Sequence, residues 1–291
     1  MSQWFTIFWE STQGVADFYL KNLLFQVPWQ QNYLWALLLI SILIWVLELV
    51  FPWRKNQSIF RKEFFTDLAH MLFNFVVFSI AISGFYAVIE YQISRIGFDV
   101  KAFSLLRLDE LPTGWGLLIF FIVLDFFQWA THIAMHRIPL FWKFHKVHHS
   151  VKEMGFAAHF RFHWMENILY KPLKTLGILI LGGFEPEQAF IVHLIAILIG
   201  HLNHANIRLD YGPLRYLLNN PVMHLYHHAK ELPKAHPYGV NFGISLSIWD
   251  YLFQLAYVPA PKAALELGYE GDHEMPSGFL NQQLFGLKKR S

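Results

Sequence analysis

Five histidines fall within eighteen residues of the segment DFFQWATHIAMHRIPLFWKFHKVHHS, which runs from position 125 to 150. They form an HxxxH pair and an HxxHH triplet: His132, His136, His145, His148 and His149. On a helix, side chains three or four residues apart project from one face, so each set can direct its imidazoles to a common point. Packed histidines without a metal would each need hydrogen-bond partners, which is the weaker interpretation. The spacing therefore predicts a site for a metal that prefers nitrogen ligands.

The second half of the chain repeats this pattern. The motif HLYHH begins at His224 and has the spacing of HKVHH. Between the two triplets lie His159 and His163, in AAHFRFHWMEN, and then His201 and His204 at the end of an apolar segment. The chain has 16 histidines and no cysteine, so it contains no disulfide and no thiolate metal site. Nitrogen and oxygen must supply the ligands.

Three acidic residues could orient ligand imidazoles. Asp125 shares a helical stripe with His132 and His136, and an acid inside an apolar span is costly unless it has a partner. We therefore expect Asp125 to hold a ligand imidazole. Glu166 and Asp250 are further candidates for this role, with an exposed or helix-capping position as the alternative for each.

The amino-acid composition indicates which class of protein contains these histidines. Of the 291 residues, 55% are hydrophobic and only 15% are charged, against roughly 25% in soluble domains. The mean hydropathy is +0.31. These values predict an integral-membrane protein. The net charge of +2 and the lack of a dense Lys/Arg run give no reason to expect a nucleic-acid partner.

Three segments are long and apolar enough to cross a bilayer, at residues 33–51, 68–90 and 113–135. A fourth apolar segment, residues 172–204, is broken near its middle by glycine and proline, which predicts a helical hairpin that enters the membrane and returns. We therefore predict an all-α, integral-membrane helical bundle of about three full spans plus a helical hairpin. We expect a single domain over residues 1–291.

Two aromatic-rich segments are expected at the membrane surface. Residues 1–30 are predicted to form an interfacial helix followed by a loop, and residues 249–253 a short amphipathic helix. The orientation follows from the loop after the first span, which carries Arg54, Lys55, Arg61 and Lys62. By the positive-inside rule this loop is cytoplasmic, so the third span returns to that side and delivers the histidines to a cytoplasmic, histidine-rich cap.

Taken in order, these motifs resemble the fatty acid hydroxylase/sterol desaturase superfamily of integral-membrane di-iron enzymes. The similarity covers roughly residues 115–258 and rests on HIAMHRIPLFWKFHKVHHS, FRFHWME, HANIRLDYGPLRYLLNNP, HLYHH and NFGISLSIWDYLF. It implies a catalytic region over those residues and ten histidine ligands: His132, His136, His145, His148, His149, His163, His204, His224, His227 and His228. His201, one turn before His204, is an additional candidate ligand.

The resemblance also implies a reaction. Two iron ions and dioxygen would oxidise an unactivated C–H bond of a lipid, giving an alcohol or, after a second hydrogen abstraction, an alkene. Zinc binds nitrogen sites well and can replace iron on overexpression, but it cannot change oxidation state. Sterols, fatty acyl chains, alkylglycerols and carotenoids are all substrates compatible with the pattern. The electrons must come from a separate ferredoxin, cytochrome b5-like protein or reductase, because the chain lacks cysteine, a GxGxxG turn and a haem-binding segment.

Two other functions compete with this interpretation. A membrane metal transporter should carry ligands near the middle of several spans, whereas His193 alone lies far inside an apolar segment here. A histidine-ligated zinc hydrolase would need about three protein ligands and an acid acting as base. His70, at the start of the second span, has no histidine neighbour on its face and is expected to be structural. The oxygenase interpretation is therefore favoured.

Overall fold

The computed structural model describes residues 3–97, 108–168, 186–262 and 264–287. Apart from three isolated β-bridges, the regular structure in these ranges is helical. We number the α-helices α1 Gln3–Leu23, α2 Tyr33–Val50, α3 Phe64–Leu72, α4 Phe78–Arg95, α5 Thr113–Arg137, α6 Pro139–His149, α7 Pro186–His204, α8 Pro221–His227, α9 Ile248–Leu252 and α10 Phe279–Gln283. The prediction of an all-α fold is confirmed.

Three of these helices are long and apolar enough to cross a membrane. They are α2, the continuous helix Phe64–Arg95, and α5. The helix Phe64–Arg95 consists of α3 and α4, which the π-helical turn Phe73–Val77 joins. All three predicted spans are confirmed. The second span extends beyond residues 68–90 at both ends. In its first turn, Asp67 is paired with Arg61 and Arg161 rather than exposed to lipid.

The predicted hairpin falls partly outside the described residues. Its second arm is the helix α7, whose segment Phe190–His204 is apolar. Its first arm, at residues 172–185, lies outside the described ranges. Helix α7 packs against α2 and against the 3₁₀ turn Phe156–Phe160, so its histidine-bearing end reaches the same end of the bundle as α5.

Helix α1 packs lengthwise against α4, whereas the sequence predicted a helix lying in the membrane surface. The Phe8 and Phe85 rings are 5.0 Å apart, and the Tyr19 hydroxyl donates to the Phe75 carbonyl oxygen at 2.5 Å. These pairings make α1 antiparallel to a candidate span. Close approach is possible because Gly84 has no side chain: a Cβ atom there would lie 2.6 Å from the Phe8 carbonyl oxygen.

A buried ion network fixes the segment after α6 against α3. Asp67 is fully buried and pairs with both Arg61 and Arg161, and Arg161 also contacts Glu63 at 2.7 Å. Two cations and two acids balance one another, which is the condition under which buried charge is tolerated. The network holds the chain just before His163 in one position.

Glu48 joins the end of α2 to two loops near the histidines. Its Oε1 atom accepts the backbone N–H of Phe156 at 2.7 Å and that of Asn206 at 2.8 Å. Because Asn206 follows α7 by two residues, this carboxyl group connects α2, the 3₁₀ turn and the end of α7. The acid inside the first predicted span is therefore satisfied by backbone donors.

Candidate metal centre

Nine histidines meet at one end of the bundle in two groups. The first group contains His132, His136, His145, His149 and His227. The second group contains His148, His204, His224 and His228. Within each group one ring nitrogen from every residue lies within 4.8 Å of the others, and all nine side chains are buried. The helices α5, α6, α7 and the segment around α8 supply them.

The first two histidine motifs lie on separate helices because a proline divides them. Helix α5 ends at Arg137, Ile138 is extended, and Pro139 begins α6. A residue before proline avoids the helical conformation, and proline is well suited to the first turn of a new helix. Helix α8 also begins with a proline, Pro221. The side chain of Asn220, just before it, accepts the Met223 N–H at 3.0 Å and caps the helix.

Each HxxHH motif is divided between the two groups. On α6, His145 and His149 join the first group and His148 joins the second. The motif at α8 does the reverse, because its central member, His227, joins the first group and its outer members join the second. On the helix surface, residues i and i+4 lie on one side of the histidine-bearing face, and residue i+3 lies on the other side of that face. Each helix therefore contributes to both groups, which interleave: the His149 and His228 rings are only 4.3 Å apart.

Four of the five first-group rings are oriented by a hydrogen bond at Nδ1, on the side of the ring away from the Nε2 atom. The Nδ1 atoms lie 2.8–2.9 Å from their partners in four pairs: His132 with the Phe242 carbonyl, His136 with the Tyr238 carbonyl, His227 with the Val240 carbonyl, and His145 with the Glu166 carboxylate. With the proton on Nδ1, the Nε2 lone pair is free to bind a metal. Among the described residues, the Nε2 atoms of four first-group members find no hydrogen-bond partner: His136, His145, His149 and His227. Buried nitrogens of this kind fit a metal ion.

The second group is packed more tightly. The Nε2 atom of His204 lies 3.0 Å from that of His224 and 3.3 Å from that of His148, and the Nε2 atoms of His224 and His228 are 3.2 Å apart. Nitrogens bound to one ion at roughly 2.0–2.1 Å are about 3.0–3.4 Å from one another. The spacing of these imidazoles therefore matches that of ligands around a single ion.

Burial keeps four of the grouped rings outside the spans neutral. Outside the spans, burial first and neighbouring imidazoles second hold the pKa of His148, His149 and His228 well below the ordinary value. Burial lowers the pKa of His227 to about 3. Neutral imidazole is the form that binds metal, so the site needs no deprotonation step near neutral pH.

Two of the predicted ligands, His163 and His201, lie outside both groups. His163 accepts the Met165 N–H at 3.1 Å and stacks on Phe144 at 4.8 Å. His201 has its Nε2 atom 3.0 Å from the Ser41 hydroxyl, on α2, so it faces away from the group that its neighbour His204 joins. Their role as ligands stays a prediction.

His159 is a residue that the ligand pattern did not select. Its Nδ1 atom lies 3.0 Å from the Nδ1 atom of His201, and its ring centroid lies 5.2 Å from that of His204. Gly200 makes this contact possible, because a Cβ atom there would overlap the His159 ring. In the sequence, the one sign that His159 belongs to the site is its spacing of four residues from His163. In the structure the two rings contact different neighbours.

Glu166 contacts an imidazole directly. One carboxylate oxygen lies 2.8 Å from the Nδ1 atom of His145, and the other accepts the backbone N–H of His163 at 3.2 Å. Both oxygens are thus engaged within the centre. Glu166 is itself buried, which strengthens a charge-assisted hydrogen bond.

Asp125 and Asp250 accept hydrogen bonds from the backbone of a loop and not from an imidazole. Asp125 accepts the backbone N–H groups of Ser245 and Leu246, and Asp250 accepts those of Phe242 and Gly243, at distances of 2.8–3.2 Å. Neither carboxylate contacts an imidazole, which differs from the expectation for Asp125. They hold the loop whose Phe242 carbonyl receives the Nδ1–H of a first-group ring. Burial raises the pKa of Asp250 to about 6.

A cavity of about 210 Å³ opens beside both groups. Rings from the first and the second group form one end, and apolar residues of α7 such as Ala196 and Ile197 form much of its wall. His193 also lines it. Eleven residues separate His193 from His204, so the cavity follows α7 for about 16 Å. We call it the lipid-side cavity, because its wall belongs to the apolar helices.

Comparison with known proteins gives consistent matches. The family model for fatty acid hydroxylase matches residues 117–255, a range that includes all nine grouped histidines. Ornithine lipid hydroxylase OlsE of Rhizobium tropici is 27% identical over 252 residues, covering 85% of this chain and 74% of the relative. The alkylglycerol monooxygenases of Xenopus tropicalis and Homo sapiens are each 27% identical, over 164 and 154 residues. Those matches span 55% and 50% of this chain but about a third of each relative. No solved structure matches.

Proposed function

We propose that this chain, which the fatty acid hydroxylase family model matches over residues 117–255, hydroxylates a membrane lipid with two iron ions and dioxygen. The observation that carries the proposal is the pair of buried histidine groups at the end of the lipid-side cavity. Imidazole ligands with positions left open suit ferrous iron, which can bind and reduce dioxygen to an oxidant able to attack an unactivated C–H bond.

The protein's own residues hold the centre and present the substrate. Four of the five first-group rings are held in their metal-binding tautomer by the carbonyls of Tyr238, Val240 and Phe242 and by Glu166. The apolar wall of the lipid-side cavity excludes water and positions a hydrocarbon segment beside both groups. No side chain has to act as general base on the C–H bond.

The reaction requires an external source of electrons. Hydroxylation takes one oxygen atom of O₂ into the C–H bond and releases the other as water, consuming two electrons and two protons. The cysteine-free chain has no iron–sulfur ligands, and its sequence has no GxGxxG turn. A separate ferredoxin, cytochrome b5-like protein or reductase is therefore the proposed partner.

The proposed substrate is a lipid with a polar headgroup. The relatives named above act on ornithine lipids and alkylglycerols, which supports a hydroxylated polar lipid over a sterol or a carotenoid for this chain. These relatives are a hydroxylase and monooxygenases, which supports alcohol formation over desaturation. We propose a hydrocarbon segment of such a lipid as the reacting group, because that is what the cavity wall accepts.

The histidine end of the bundle is proposed to face the cytoplasm. Support comes from the loop between α2 and α3, where Lys55 and Lys62 are exposed. Two other basic residues of this loop have structural contacts: Arg61 is buried against Asp67, and Arg54 donates to the Met154 carbonyl oxygen at 2.9 Å. Lys55 and Lys62 are therefore the residues of this loop whose charge most favours a cytoplasmic position.

The competing functions find less support. A transport path needs ligands spread through the membrane, whereas the nine grouped histidines gather at one end of the helices. A zinc hydrolase needs an acid free to act as base, and both oxygens of Glu166 are already engaged with His145 and the His163 backbone.

The test combines metal content with lipid products. Full-length protein purified in mild detergent should contain about two irons per chain, or zinc in their place after overexpression. Lipid extracts of cells with and without the gene, compared by mass spectrometry, should differ by a polar lipid that gains one oxygen atom. A His228→Ala variant serves as the control and should yield no such product. Trace metal alone, or identical lipid profiles, would contradict the proposal.

A further inference from the structure

A second cavity, of about 500 Å³, reaches the first histidine group by a separate route. Three first-group rings line it: His136, His149 and His227. It shares no lining residue with the lipid-side cavity. The two cavities therefore meet the first group on different rings, since the lipid-side cavity is lined by the other two members, His132 and His145.

The second cavity has a polar mouth. Its lining includes Arg137, Lys230 and Glu270, and the exposed side chains of Arg137 and Glu270 place this mouth at the protein surface. Tyr238, also on its rim, is 58% exposed. Among the described residues that line the lipid-side cavity, by contrast, Glu166 is the only Asp, Glu, Lys or Arg. We call the second cavity the polar port.

The second histidine group has no access to the polar port. Of its four members, three line the lipid-side cavity and none lines the polar port. The two groups therefore differ in what can approach them.

We infer that the polar port is an access site for water and small anions and that it serves the first metal position alone. The inference rests on the proposed function, because it takes both groups to hold an ion. Water formed in the reaction and protons consumed by it then pass through the port, while the lipid occupies the opposite cavity. The ion in the first group exchanges with external ligands, and the ion in the second group stays enclosed.

Trp142 forms part of the port's wall, next to the first-group rings that line it. Its ring centroid lies 4.9 Å from that of His136, 5.4 Å from that of His149 and 5.7 Å from that of Tyr269. It lines the port and does not line the lipid-side cavity. An apolar shell of this kind controls solvent access to a metal, so removing the indole should widen the port on the side of one ion only.

The experiment measures metal release from the full-length protein in detergent, loaded with Co²⁺ and challenged with dipicolinate, a small anionic chelator. We expect two phases of equal amplitude, one ion per chain leaving quickly and one slowly. Trp142→Ala should speed the fast phase about tenfold and leave the slow phase unchanged. Trp164→Ala is the size-matched control, because Trp164 packs on His163 and lines neither cavity, and it should change neither phase.

A second variant keeps the test decisive if Trp142→Ala fails to fold. Arg137→Glu changes an exposed charge at the mouth and should slow the fast phase for anionic dipicolinate but not for neutral 1,10-phenanthroline. Release of both ions in one phase, or an equal effect of these variants on both phases, would overturn the inference. A wild-type protein that binds no Co²⁺ would instead overturn the proposed function.

Discussion

At the scale of single residues, the direction of four of the five first-group imidazoles depends on a hydrogen bond on the far side of the ring. Three of these partners are backbone carbonyls between positions 238 and 242, and the fourth is Glu166. A carbonyl can only accept, so it fixes the proton on Nδ1 and leaves Nε2 for the metal. The ligand role of each histidine thus depends on groups that are not themselves ligands.

The two interleaved groups should respond differently from the histidine deeper in the bundle. We expect His149→Ala and His228→Ala each to lose metal and product together, because each removes a ring from one group. His193→Ala should keep its metal, because residue 193 lies about 12 Å deeper along α7 than His201. Iron per chain, measured on folded protein, checks all three variants.

Substitution of His193 should affect how the substrate is handled. Its ring stacks on Tyr33 at 5.0 Å and lines the lipid-side cavity, so its alanine variant should alter turnover or chain-length preference. If His193→Ala is as poor in metal as His228→Ala while still folded, the centre extends further along α7 than these groups indicate.

The metal-free protein should lose stability as the pH falls. Burial lowers the pKa of His163 to about 4 and that of His227 to about 3, from an ordinary value of 6.5. Below pH 6.5 the unfolded chain binds protons that the folded chain does not, so the free energy of unfolding is highest above pH 6.5 and declines toward pH 4 and then 3. Denaturation of chelator-treated protein at pH 7.5 and pH 5 measures this. Equal stability at both values would contradict it.

At the scale of elements, a loop and its two carboxylates position one edge of the centre. Asp250→Ala leaves the backbone N–H groups of Phe242 and Gly243 and the Trp129 indole without their acceptor. Each hydrogen bond to a charged group contributes about 1.5–3 kcal/mol, so we expect clear destabilisation. The loosened loop should weaken metal binding at the first group about 10–100-fold, since His132 donates to Phe242.

The matched control for that loop is an exposed turn. Asp210→Ala removes one acceptor of the Gly212 N–H at the surface and should leave stability and metal affinity nearly unchanged. Metal titration and thermal unfolding of the two variants give the comparison. Similar losses in both would show that the carboxylate at 250 does not position the first group.

The contact between α1 and α4 depends on a glycine. Alanine usually stabilises a helix relative to glycine by about 1 kcal/mol, but a Cβ atom at Gly84 would lie 2.6 Å from Phe8 and Thr12 oxygens. We expect Gly84→Ala to destabilise the protein by about 1–3 kcal/mol through overpacking. Gly114→Ala, with open space around it, should be neutral or stabilising. Thermal unfolding in detergent checks the pair, and equal shifts would mean that α1 is not packed as described.

At the scale of the whole molecule, the histidine end and the far end of α4 lie on opposite sides of the bundle. The chain has no native cysteine, so single cysteines can be labelled cleanly. We expect Lys55→Cys and Lys234→Cys to resist an impermeant thiol reagent in intact cells and Ser94→Cys to react, all three positions being exposed. Labelling of Lys234→Cys together with protection of Ser94→Cys would show that the orientation is inverted.

Much of this protein follows from local sequence. Continuous apolar segments determine the three spans, because lipid requires every backbone group to be satisfied within a helix. The spacing of HxxxH and HxxHH determines that imidazoles share helix faces, because the helical period is local. Histidine without cysteine determines the class of ligand. Each of these properties depends on residues that are close together in the sequence.

The tertiary structure decided how those histidines are divided and what surrounds them. His132 meets the Phe242 carbonyl across 110 positions of chain, and the pairing depends on how two distant elements pack. The assignment of His148 to one group and His149 to the other depends on which helix faces each side of α6. His201 lies outside both groups because its ring contacts α2, and Asp125 supports a loop because that loop packs on α5. Backbone carbonyls and cavities have no residue-type signature, so only the packed structure reveals them.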